Sequence, residues 1–118
     1  MPYMLLVLEP PGQRDTRTLP EGHEVYDRMV QFGENLKARG IVKAYDSLGS
    51  PATGARVTVR NGKRSLVDGP FAEAKEIVGG YALVVAPDRA AALAIAARCP
   101  HATWGEVEVR ELLKVPAM

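Results

Sequence analysis

The residues best suited to chemistry lie in one short segment, DGPFAEAKE at positions 68–76. Asp68 stands directly before a Gly-Pro turn, and Glu73 and Lys75 follow shortly after it. A carboxylate at the rim of an apolar concavity can exchange protons with a ligand, so we predict Asp68 as a catalytic residue. The alternative is structural, because an Asp before a turn often accepts hydrogen bonds from the turn amides.

Glu73 and Lys75 are predicted ligand-binding residues, Glu73 as a second acid and Lys75 as an anchor for an anion. Their alternative is a solvated turn whose charges only direct the chain into the next strand. Arg110 is a third ligand-binding candidate, because a guanidinium binds carboxylate or phosphate through two hydrogen bonds. An ion pair within the chain is the other interpretation of Arg110.

His23 is the second predicted catalytic residue, with Asp68 as its companion. Histidine titrates near neutral pH and can act as a general base, although a histidine near a helix start is often only a surface residue. Cys99 is predicted to be a small buried apolar residue rather than a nucleophile. The sequence has no phosphate-binding glycine loop and no metal-ligand cluster, and it implies no cofactor.

Composition narrows the possible partners. The chain has 118 residues, which predicts a single domain over 1–118, and a net charge of +1 argues against nucleic acid. Its longest apolar runs, 4–8 and 81–86, are too short to cross a bilayer. One cysteine and no leader pattern lead us to expect a cytoplasmic protein.

The elements that must position these residues follow from the apolar pattern. Residues 3–8 form an apolar strand, and the proline-rich segment 9–20 is a long loop that is a candidate lid or binding segment. Apolar residues at helical spacing predict a helix over 21–39, which ends at Gly40. A strand over 41–48 comes next.

Asn61-Gly62 predicts a two-residue hairpin turn, because both positions tolerate positive φ. The turn joins strands 56–60 and 63–67 and fixes their register: Arg60 opposite Lys63, Val59 opposite Arg64, Val57 opposite Leu66 and Ala55 opposite Asp68. Alternation then places Asp68 on the apolar face of the hairpin.

The C-terminal half repeats the order strand, helix, strand. A strand over 77–86 begins at Gly79-Gly80, a pair that predicts a bulge or a close backbone approach. Pro87-Asp88 starts an alanine-rich helix over 90–99 that should pack closely. Alternating residues from Val107 to Val115 predict a half-buried last strand.

This order predicts an α+β fold, a ferredoxin-like split βαβ unit with an antiparallel sheet and an inserted β-hairpin. The first and third main strands should be central, since both lack polar alternation. Two helices cover only one face of such a sheet, so we expect a second copy to cover the other and form a homodimer. Alternatively, the hairpin and the long loop fold across that face.

The segment 68–76, together with Gly79-Gly80-Tyr81, Arg98-Cys99-Pro100 and residues 107–110, resembles the DGPF-motif proteins of the YCII-related superfamily. The resemblance implies a bacterial protein that forms a dimeric α+β barrel. Members are commonly described as uncharacterised, and some are associated with extracytoplasmic-function sigma factors. Related members carry a His and an Asp in a pocket, and His23 is the residue here that could take the part of the His.

Two functions are consistent with this sequence. The first is a small cofactor-independent enzyme that uses acid-base chemistry on a small organic molecule in a pocket near the DGPF turn. The second is a noncatalytic dimer that binds a ligand or a protein, as an accessory to sigma-factor-linked regulation. The ligand itself is not identified by the sequence.

Overall fold

A computed structural model of the chain describes residues 1–70 and 75–113. The strands are β1 (Pro2–Glu9), β2 (Val42–Ser47), β3 (Ala55–Arg60), β4 (Lys63–Asp68), β5 (Ile77–Val85) and β6 (Glu106–Glu111). The helices are α1 (Leu19–Ala38) and α2 (Arg89–Ala97), and short 3₁₀ turns lie at Gln13–Thr16, Pro51–Thr53 and Pro100–Thr103. The predicted site residue Glu73 lies outside the described residues.

The main sheet has four strands in the order β2-β5-β1-β6, and every neighbouring pair is antiparallel. The first and third main strands, β1 and β5, are therefore central, as predicted. Strands β3 and β4 form a separate two-stranded sheet. The chain thus has the predicted α+β, ferredoxin-like architecture with an inserted hairpin.

Helix α1 begins at Leu19, two residues before its predicted start. Thr18 caps it: the Thr18 hydroxyl accepts from the Glu21 N–H, and the Glu21 carboxylate accepts from the Thr18 N–H and hydroxyl. These hydrogen bonds lower the pKa of Glu21. Pro20 is compatible with this start, because the first helical turn needs no N–H donor at that position.

Both helices pack on the same face of the sheet. The buried core joins alternate residues of the central strands to the two helices: Tyr3, Leu5, Leu36, Ala82, Val84, Ala86, Ala92 and Ala96. The alanines of α2 that face the sheet let this helix lie close to it, as the small side chains predicted. Asp88 caps α2 by accepting a hydrogen bond from the Ala91 N–H at 2.9 Å.

The opposite face of the sheet, here called the open face, carries the other alternate residues of the central strands. Met4, Leu6, Leu8, Tyr81 and Leu83 are only half-buried there. Neither α1 nor α2 lies on this face, because both pack with the core residues on the other one. The apolar residues on the open face are therefore not covered by any other element in the described part of the chain.

The hairpin has the predicted register, with Ala55 opposite Asp68 and Arg60 opposite Lys63. Both turn residues have positive φ, 52° at Asn61 and 77° at Gly62. All residues of β3 and β4 are exposed, so the alternative in which the hairpin folds across the open face is wrong. The long loop does not cover that face either, because it packs on the helix side, as described below.

The last strand is shorter than predicted. Strand β6 ends at Glu111, where Tyr3 of β1 is its partner. Val115, which the alternation included in this strand, lies outside the described residues. In the described part of the chain, neither helix is long and apolar enough to span a membrane.

The cap of α1 gives a direct test of how this helix starts. We expect Thr18→Ala to lower the free energy of unfolding by about 1 kcal/mol, because the Glu21 N–H loses its acceptor. Thr18→Ser keeps the hydroxyl and should retain most of the stability. Urea denaturation measures both variants, and equal losses in the two would contradict the capping role.

Candidate functional site

A cavity of about 400 Å³ lies between α1 and the helix-covered face of the sheet. We call it the helix-side cavity. Its walls are mainly apolar, and they include Leu5, Val7, Val25, Met29, Val30, Leu36, Ala82 and Val107. Charged and polar side chains lie among them, which is the composition expected of a small-molecule site.

Glu9 is the most deeply buried charged residue of the cavity. Strand alternation places it on the same face as Tyr3 and Leu5, and it is only 4% exposed. Its Oε1 lies 2.7 Å from Nε of Arg14, which compensates the buried charge. That oxygen has no aligned hydrogen-bond donor among the described residues. Glu9 is thus a desolvated carboxylate in the cavity wall whose Oε1 is held by Arg14.

Arg14 and Arg17 come from the long loop, which was predicted as a lid or binding segment. The loop forms a 3₁₀ turn over Gln13–Thr16, and both arginines line the cavity. Arg14 also donates through Nη2 to the Gly79 carbonyl at 3.2 Å, while 38% of its side chain stays exposed. Gln13 donates to the Trp104 carbonyl at 3.1 Å. The loop therefore closes one end of the cavity.

Gly79 and Gly80 form a bulge and a close backbone approach, the two features that the glycine pair predicted. Gly79 is an extra residue in β5, because Val7 pairs with Gly80 and Leu8 pairs with Val78. A Cβ on Gly79 would lie 2.9 Å from the Glu9 carboxyl carbon and from Nη2 of Arg14. A Cβ on Gly80 would lie 2.9 Å from the backbone oxygen of Asp46. The missing side chain at Gly79 leaves the space that the ion pair occupies.

His101 connects the end of β1 to the 3₁₀ turn Pro100–Thr103. It is 3% exposed, its Nε2 lies 2.6 Å from the Leu8 carbonyl, and its Nδ1 accepts from Trp104 Nε1 at 3.0 Å. Because the indole N–H can only donate, the ring proton must lie on Nε2 and point to Leu8. The ring thereby holds the backbone of Leu8, the residue that precedes Glu9 in β1.

Trp104 closes the same wall of the cavity. Arg28 of α1 lies over its ring at 4.9 Å, and the ring meets His101 edge to face. Cys99 lies nearby at 2% exposure, with its Sγ 3.9 Å from Met29 Sδ. Burial raises the pKa of the Cys99 thiol, so its predicted role as a small buried residue is confirmed.

The predicted catalytic residues do not line this cavity. Asp68 is exposed at the end of β4, and His23 is exposed on α1. Lys75 is exposed before β5. Arg110 forms an ion pair with Glu108 at 3.4 Å, and an ion pair within the chain was the alternative interpretation of this residue. Glu73 is outside the described residues. The roles given to these five residues stay predictions.

The cavity residues Glu9, Arg14, Arg17 and His101 were missed. One signal for Glu9 was present, since residues 3, 5, 7 and 9 alternate onto one strand face and the last of them is an acid. The expected pocket also lay on the other face of the sheet, beside the Asp68 turn. Within the described residues, no group of His, Cys, Asp and Glu is arranged to hold a metal ion.

The two glycines make a matched pair of variants. We expect Gly80→Ala to lower the free energy of unfolding by about 1–3 kcal/mol, because the new methyl group meets a fixed backbone oxygen of β2. Gly79→Ala should cost less, because it meets the ends of two side chains beside a cavity. Urea denaturation of both variants checks this order, and a larger loss in Gly79→Ala would contradict it.

Comparison with known proteins gives one positive finding. The family model of the YCII-related domain matches residues 1–116, which is nearly the whole chain. A search of curated proteins gives no match. The fold described above is the α+β arrangement that the resemblance implied. The chain belongs to the YCII-related domain family.

Proposed function

We propose that this chain is a small enzyme that binds an organic molecule in the helix-side cavity and moves a proton of that molecule through Glu9. One observation carries the proposal: a carboxylate that is 4% exposed lines the cavity, and its Oε1 is held by the ion pair with Arg14 without an aligned hydrogen-bond donor among the described residues. A structural carboxylate at such a depth would normally have its hydrogen bonds satisfied. Glu9 is therefore a better candidate than Asp68 for a group that contacts a ligand.

The nearest partner of Glu9 changes when a ligand binds: it is Arg14 in the free chain and the ligand in the complex. In the structure Arg14 holds the carboxylate at 2.7 Å, yet much of the Arg14 side chain is exposed and its segment is a short turn. A ligand that enters beside Glu9 can replace this arginine as the nearest partner. The carboxylate then accepts a proton from a carbon atom of the ligand, this proton exchanges with solvent, and a proton returns to the ligand; return to a different ligand atom gives an isomerisation.

The pairing of Asp68 with His23 remains a second proposal. Within one chain both residues are exposed and neither lines the helix-side cavity. A shared pocket for them near the DGPF turn would have to include residues of a second chain. Glu73, Lys75 and Arg110 would then hold the ligand, as predicted from the sequence.

Glu9→Gln tests the catalytic proposal, because it keeps the size of the side chain and removes the base. We expect the wild-type protein to catalyse exchange of carbon-bound hydrogen for deuterium next to the carbonyl group in cyclohexanone, 4-phenyl-2-butanone or 4-phenyl-2-oxobutyrate. Proton NMR in deuterium oxide measures the exchange. Glu9→Gln should slow it by about 10²–10⁴-fold, the usual contribution of a general base.

Asp68→Asn is the matched control for this experiment. It makes the same change of charge at an exposed position and should leave the exchange rate unchanged. If Asp68→Asn abolishes exchange while Glu9→Gln does not, the site near the DGPF turn is the correct one. Exchange no faster than in buffer for all three compounds would contradict the enzyme proposal and favour the noncatalytic binding protein.

A homodimer is the assembly that we propose for either function. The open face of the sheet has half-buried apolar residues that no other described part of the chain covers. The hairpin adds a second uncovered apolar surface, because Val57, Val59 and Leu66 share one of its faces and are 57–58% exposed. An isolated two-stranded hairpin is marginally stable in water, so a second copy packed on these surfaces supports it.

Leu6→Lys tests the dimer at the centre of the open face. In a monomer the new ammonium group can reach water, whereas in a sheet-to-sheet dimer it would be buried without a partner. We expect the dimer dissociation constant to rise at least about tenfold, which is about 1.4 kcal/mol. Val67→Lys, on the other face of the hairpin, is the control. A wild-type protein that stays monomeric at all concentrations in sedimentation equilibrium would contradict the proposal.

A further inference from the structure

We propose that the ligand of the helix-side cavity is a small carboxylic acid with an apolar body, whose carboxylate binds Arg17 and whose hydroxyl, enol or acidic C–H group faces Glu9. The inference rests on the proposed function, because it places the ligand in the same cavity. It adds the chemical class of the ligand and assigns to Arg17 the recognition of its charge.

Among the described residues, the charges that line the cavity do not balance. Its charged lining residues are Glu9, Arg14, Arg17 and Asp46. Glu9 and Arg14 neutralise each other at 2.7 Å. Asp46 pairs with Tyr81 in the sheet, so alternation directs its side chain toward the open face, and its Oδ1 accepts from the Ser47 N–H. Arg17 is left as a cavity-lining cation without a counter-charge among the described lining residues.

Arg17 has no ion-pair partner in the part of the chain that the structure describes. It follows the 3₁₀ turn and is half-buried where the loop meets α1. Glu21 is close enough for Arg17 to help lower its pKa, but the Glu21 carboxylate accepts its hydrogen bonds from Thr18. A guanidinium in this position is suited to bind a ligand carboxylate through two parallel hydrogen bonds.

The remaining groups define the rest of the ligand. The apolar walls and a volume of about 400 Å³ fit a small hydrocarbon body. A ligand that replaces Arg14 beside Glu9 meets a carboxylate, which accepts hydrogen bonds, so the ligand must offer a hydrogen there. A hydroxy acid or an enolisable oxo acid has the apolar body, the hydrogen for Glu9 and the negative charge for Arg17. A cationic ligand would be repelled by both arginines.

Trp104 provides the measurement, since it is the only tryptophan of the chain and it lines the cavity. Its fluorescence is titrated with 4-phenylbutyrate and with 4-phenylbutanamide, which share an apolar body and differ in charge. We expect the wild-type protein to bind the carboxylate at least about tenfold more tightly. 2-Hydroxy-4-phenylbutyrate should bind more tightly than 4-phenylbutyrate, and Glu9→Gln should reduce that gain.

Arg17→Gln should bring the ratio of the two affinities close to one. Lys37→Gln removes the same charge from an exposed position of α1 outside the cavity lining, and it should keep the wild-type ratio. Urea denaturation verifies that both variants are folded. A ratio near one in the wild-type protein overturns the inference, as does a preference that survives in Arg17→Gln. So does the absence of a saturable signal with either compound.

These outcomes are separate from those of the deuterium-exchange experiment. If exchange depends on Glu9 while the charge preference is absent, the proton-transfer proposal holds and the assignment of Arg17 falls. If the charge preference depends on Arg17 while no exchange occurs, the ligand class holds and the chain is a binding protein.

Discussion

A single buried carboxylate at the end of the central strand sets the constraint on this structure. Taking the charge of Glu9 out of water is costly, and removing a partner from such a group is usually destabilising. The surrounding chain meets this cost in two ways: the loop supplies the guanidinium of Arg14, and the bulge at Gly79 leaves room for both groups. A different residue at either place would alter the position of the carboxylate.

The two faces of the sheet serve different purposes. The helix-covered face holds the core around Leu5, Leu36 and Val84, and the cavity borders this core, with Leu5 and Leu36 in its walls. The open face and the hairpin contribute little to burial within one chain. The residues that stabilise the chain and most of those that line the cavity therefore lie on one face of the central strands, whereas the surfaces suited to assembly are the other face of these strands and the hairpin.

Much of the fold could be predicted from the sequence because its signals are local. Asn61-Gly62 fixed the hairpin register, and Gly79-Gly80 indicated the bulge. The site was harder to predict, because burial of Glu9 depends on which face the helices cover and on where the loop returns. The charged residues near the DGPF turn are conspicuous in the sequence, but the described ones are exposed in the chain. Distant contacts such as Leu8 with His101 leave no local pattern.

The ring of His101 links the backbone of β1 to the side chain of Trp104. It donates to the Leu8 carbonyl and accepts from the Trp104 indole, and Gly105 lies against its edge. A replacement at either aromatic position leaves the other with a buried group that lacks its partner. We therefore expect the residues at positions 101 and 104 to covary among homologues.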